Sequence, residues 1–122
     1  TEYAQDKMEQ LLALSFNDST SDTRVFPATD TGGTGLTIGG SSTPTSPVAK
    51  YVDYLDVNGS LLAASGTTAP ANWYYKRVWR VSNPTGTTTL KRITVTTTVN
   101  SAVGSTGRVP VVTLMSLKTY PF

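Results

Sequence analysis

Neither cysteine nor histidine occurs in the 122 residues of this chain. Lacking cysteine, it has no disulfide framework, thiol nucleophile or zinc-thiolate site. Lacking histidine, it has neither the commonest general base nor the commonest transition-metal ligand. Charge is scarce too, at 15% of residues, with five Lys and five Arg against six Asp and two Glu. A net charge of +2 points by itself to no nucleic-acid partner. The pI near 9.0 mostly reflects the missing histidine. No run within these residues approaches the roughly 20 consecutive apolar positions of a membrane-spanning helix.

What the chain has instead is hydroxyl groups: 22 Thr and 12 Ser. Threonine is β-branched and stiff at χ1, so this bias favours strands and loops over helices. The length suits a single domain, residues 1–122, able to bury a core of its own. Only the opening TEYAQDKMEQLLALSF reads as a helix, over residues 1–16. Projected at about 100° per residue, Ala4, Met8, Leu11 and Leu12 gather on one side, while Glu2, Asp6, Glu9 and Gln10 lie opposite. Thr1 could cap this helix, but Ala4 stands where a capping box needs Glu or Gln. A lone helix of this length is marginal in water and needs its apolar stripe covered.

Residues 17–47 are dense in Asn, Asp, Ser, Thr, Gly and Pro and read as a long, solvent-exposed connection, with a short extended piece at 36–38. The strand region is 48–122. VAKYVDYLDV alternates, with Val52 and Tyr54 on one face and Tyr51, Asp53 and Leu55 on the other. Asn58-Gly59 then turns the chain so that SLLAA can pair back. YYKRVWRV, LKRITVTTTV and VPVVTLMSLKTY follow as an antiparallel meander whose last connection is the turn NSAVGSTGR. Lys91, Ile93, Val95, Thr97 and Val99 share one face of the middle strand. The last strand is apolar on both faces, so its inward side stays open. The expected fold class is α+β, one helix laid across an antiparallel sheet of four or more strands.

The helix AQDKMEQLLAL, the words YVDYLDVNGSLL and YYKRVWRV, and the closing LKRITVTTTV and VVTLMSL carry a resemblance that covers about half the chain. In this order they resemble type IV pilin-like proteins. The nearest are the minor pilins called type IV pilus modification proteins, with type II secretion minor pseudopilins beside them. The resemblance implies that residues 1–16 are the lower part of a longer helix. Its upper part, behind a basic leader with a cleavage and methylation site, anchors a prepilin in the inner membrane. It further implies that Ala4, Met8, Leu11 and Leu12 dock the helix on the sheet, and that Glu2, Asp6, Glu9 and Gln10 face neighbouring subunits. The implied role is structural and non-enzymatic: a minor pilin or pseudopilin in a surface filament or secretion pseudopilus, bacterial, without a cofactor, with other pilins as partners.

Two further constellations carry chemistry of their own. Asp53, Asp56 and Asn58 beside Gly59 are a weak calcium candidate, since their spacing fails the EF-hand pattern. In WYYKRVWR, aromatics interleave with Lys76, Arg77 and Arg80, which together with Trp79 form a candidate patch for a ligand or single-stranded DNA. Strand alternation splits that patch between two faces, which argues for packed aromatics with snorkelling cations and against a nucleic-acid partner. The alternative function is accordingly a pilus-tip ligand-binding module, adhesin-like or DNA-capturing, using the 17–47 loop or the aromatic strand. TGGTGLTIGG lacks the GK[ST] ending of a phosphate loop, and no Ser sits in a nucleophile elbow.

Overall fold

The computed structural model describes residues 2–24, 29, 32–62, 66–100 and 111–120. Helix α1 (Glu2–Leu12) is followed by β1 (Gly39–Gly40), β2 (Val52–Leu55), β3 (Tyr75–Ser82), β4 (Leu90–Val99) and β5 (Val111–Thr119). The five strands form one antiparallel sheet, so the chain is α+β. β3 pairs with β4 along one edge; its other edge is shared end to end by β2, opposite Tyr75 to Val78, and β1, opposite Arg80 and Val81. β5 closes the far side of β4 and is the outermost strand there.

Alternation places Trp79 and Val81 of β3 and Ile93 and Val95 of β4 on the helix side, all fully buried against Ala4, Met8 and Leu11. Each such side chain contributes about 1.5–3 kcal/mol on leaving water. Leu12 is only partly buried, at the margin of this core. On β5 the open question resolves: Val112 and Leu114 turn inward, while Val111, Met115 and Leu117 stay 54%, 65% and 54% exposed. Thr96 and Thr98, on the outer face of β4, are also buried, near a smaller cluster of Val52, Tyr54, Val78 and Trp73 that covers part of that face.

The helix stops at Leu12, four residues before the expected Phe16, and the chain tightens, Leu14 N donating to Leu11 O at 3.2 Å. Lys118 of β5 donates to the Leu12 carbonyl at 2.8 Å, a cation where the helix leaves its carbonyls unpaired. Its register partner Lys91 donates to the Phe16 carbonyl at 2.5 Å. Two neighbouring lysines thus hold the exit of the helix to the sheet. Thr1, the expected cap, lies outside the described residues. Among the described residues no helix is long and apolar enough to cross a membrane.

The long connection is not merely a decorated surface. Leu36 is fully buried in the main core with Tyr51 and Trp79. Asp18 organises the turn beneath it, accepting from Thr20 N and Ser21 N at 3.1 and 3.0 Å and from Ser21 Oγ at 2.6 Å, while its carbonyl takes Leu36 N at 2.8 Å. The extended piece falls at Gly39–Gly40 and not at 36–38. Close approach explains the shift: a Cβ on Gly40, whose φ is +87°, would stand 2.2 Å from the Trp79 carbonyl.

Only the centre of VAKYVDYLDV is a strand. Lys50 takes a left-handed φ of 71° and Tyr51 N closes a turn onto Val48 O, so pairing begins at Val52. Asn58-Gly59 does turn the chain, with Gly59 at φ +82° and Asp56 N bonded to Ser60 O at 2.9 Å. The return is a single bridge, Leu55 to Leu61, not a strand. Ala63 and Ala64 of SLLAA, the turn at 101–108, and Val109 and Pro110 lie outside the described residues.

Candidate functional site

Between α1 and the sheet lies a buried charge cluster. Arg77 on β3 faces its register partner Asp53 on β2 and donates to both carboxylate oxygens, Nε to Oδ1 at 2.8 Å and Nη2 to Oδ2 at 2.9 Å. Lys7 of α1 reaches the same Oδ2 at 2.8 Å. Its ammonium also donates to Gln10 Oε1 at 2.8 Å and to the Thr23 carbonyl, and lies 4.5 Å from the centre of the Trp79 ring. Two cations thus share one carboxylate out of water. Burial pushes the Lys7 pKa down to about 8; repulsion from Arg77 adds to this, while attraction from Asp53 opposes it.

This cluster corrects several expectations. Gln10, expected on the outward helix face, is buried beside Lys7. Asp53 is held by two cations, while Asp56 turns to its own hairpin, accepting Asn58 N and Ser60 N at 2.8 and 3.0 Å. Asp53, Asp56 and Asn58 therefore form no common ligand set, and no group of three acidic side chains converges among the described residues. Arg77 and Trp79 are buried on the helix side, so neither can meet a ligand or nucleic acid on the outer face. Lys7 escaped the sequence reading because its charge disguised a position three residues beyond Ala4 and four before Leu11 on the buried stripe.

Among the described residues, three outward surfaces bear on these expectations. Glu2, Asp6 and Glu9 are exposed along α1, as expected. On the opposite side of the sheet, Arg80 and Arg92 are exposed, and β5 presents Val111, Met115 and Leu117. The third is a cleft of about 400 Å³ on the outer face, where Pro44 and Thr45 of the long connection meet Trp73, Lys76, Thr98, Val99 and Val111. Its volume lies in the range of small-molecule sites.

The cleft is assembled by local structure. Trp73 is pinned by Asn100, whose Nδ2 donates to its carbonyl at 3.1 Å, and its ring meets Tyr54 edge-on at 6.0 Å. Lys76 lines the cleft, donating to the Pro44 carbonyl at 3.1 Å with its ammonium 5.3 Å from the centre of the Trp73 ring. Among the described residues no carboxylate pairs with it. Burial lowers its pKa. Lys76 is thus the member of the expected patch that reaches this cavity, joined by Trp73 and by loop residues whose approach nothing in the local sequence signals. Comparisons with protein-family models, with curated proteins and with solved structures returned no match.

Proposed function

We propose that this chain is a minor pilin or pseudopilin, a structural subunit of a type IV pilus or a type II secretion pseudopilus, acting through protein contacts. In that setting the domain stands on the outer side of the inner membrane before assembly and in a surface filament or pseudopilus afterwards. One observation carries the reading. The helix lies on the sheet by its apolar stripe and keeps Glu2, Asp6 and Glu9 free along its length, leaving a polar edge for neighbouring subunits. The chain has no native cysteine, so single cysteines at Asp6 and Glu9 make clean crosslinking handles. In cells assembling the filament, both positions should crosslink to other pilin-like subunits. Full maleimide labelling of assembled material, with no crosslink from either position, would overturn the reading.

A second reading, a ligand-binding module at the filament surface, is favoured by the cleft between the long connection and β3. The DNA-capturing form of that reading loses Arg77 and Trp79, both buried.

A further inference from the structure

We infer that the cleft of Trp73, Lys76 and Pro44 binds a small aromatic carboxylate. This inference rests on the second reading above and names its ligand class. The lining is mainly apolar, with Trp73, Pro44 and Val111 among the residues that form it. A flat hydrocarbon body stacks on an indole and leaves water at no polar cost. Among the described lining residues the one charged group is the Lys76 ammonium, held by the Pro44 carbonyl and the Trp73 ring. These neutral contacts leave its charge uncompensated among the described residues, so an anionic group is the complement the cavity lacks. An ammonium is a compact point charge with three donors, and one is committed to Pro44, leaving donors for a carboxylate.

The cleft's volume of about 400 Å³ favours a one- or two-ring body over a polymer segment. Among the described residues, the exposed Arg80 and Arg92 of this face do not line the cleft, so a polyanion tracking them together with Lys76 would bypass the aromatic wall. The chemistry of the lining therefore selects one negative charge on an apolar ring.

The test is titration of the whole chain with 2-naphthoate, followed by Trp fluorescence and by amide NMR shifts. The neutral isostere 2-naphthamide runs alongside. Naphthoate should saturate below millimolar concentration, shift the amides of Thr98, Val99 and Val111, and lose its fluorescence signal in Trp73→Phe. The other tryptophan, Trp79, is fully buried on the opposite face and should not respond. Lys76→Met keeps the stem and removes the charge; it should weaken naphthoate at least tenfold and leave naphthamide unchanged. Val111→Glu changes a side chain that is already 54% exposed, so it should fold, and it should weaken naphthoate by repulsion. Equal affinity for acid and amide would overturn the anion preference while keeping a site at the cleft. Absence of binding by either compound, or shifts confined to Met115 and Leu117, would overturn the site itself.

Discussion

Lys7 Nζ lies 2.8 Å from Asp53 Oδ2, with neither side chain exposed to solvent. Because Arg77 grips the same carboxylate, the cluster holds one cation more than it has anions, and its members should respond asymmetrically to mutation. Asp53→Asn leaves two buried cations without a counter-ion and should cost about 3–5 kcal/mol. Lys7→Met leaves the bidentate Arg77–Asp53 pair intact, and the Thr23 carbonyl keeps its bond from Gln10 Nε2 at 3.2 Å. It should therefore be milder by about 2 kcal/mol or more, which urea denaturation of the two variants will show. Equal costs would mean that the lysine, and not the arginine, neutralises Asp53.

The same lysine gives stability an alkaline dependence. Burial holds its folded pKa at about 8, against 10.5 when the chain is open. Below about pH 8 both states are protonated and the penalty is constant. Between these values the unfolded chain binds more protons, so stability rises with pH. The gain from pH 8 to 9.5 should be on the order of 1 kcal/mol, and Lys7→Met should reduce it to the smaller part that the lowered pKa values of Lys76 and Lys91 supply. Readings belong below pH 10, since burial raises the pKa of Tyr54 and Tyr75 and their ionisation would then oppose the gain. Denaturation midpoints that stay flat over this interval in the parent chain would contradict the assignment.

Periodicity made the helix stripe, the faces of β3 and β4 and the α+β class legible, because each depends only on residues close in sequence. What it could not reach depends on register. That Asp53 stands opposite Arg77, and that Lys7 drops onto both, needs three elements in place at once. Leu36 was hidden differently: Leu36 and Ile38 alternate among glycines and hydroxyls too briefly to set a period or to show which of them is buried, yet Leu36 fills the main core. The cleft combines both difficulties, since Pro44 and Lys76 are far apart in sequence and their hydrogen bond exists only in the fold.

The long connection should therefore behave as part of the core. Leu36→Ala empties a fully buried site and should cost about 2–5 kcal/mol. Gly40→Ala should cost a comparable amount for another reason, since its Cβ meets the Trp79 carbonyl and the Tyr51 ring at a φ of +87°. Thermal melts of the two variants, set beside Ile38→Ala at the 46% exposed neighbour, will separate a structural loop from a decorative one. Three equal, small shifts would return it to decoration.

β5 is the outermost strand of the sheet and shows few of the features that keep an edge from pairing. Its one charged side chain, Lys118, is turned inward to the Leu12 carbonyl. No proline lies between Val111 and Thr119, and the outer face offers Val111, Met115 and Leu117. An exposed apolar edge of this length invites another strand unless a neighbour covers it. Isolated from any partner, the chain should self-associate as concentration rises, visible by light scattering. Met115→Lys, at a side chain 65% exposed, should abolish the association and change stability by only about 0.5 kcal/mol. Arg92→Lys, which keeps the outer charge opposite Leu117, should leave it intact. Association unaffected by Met115→Lys would move the contact off the edge and onto another surface, the acidic side of α1 being the next to alter.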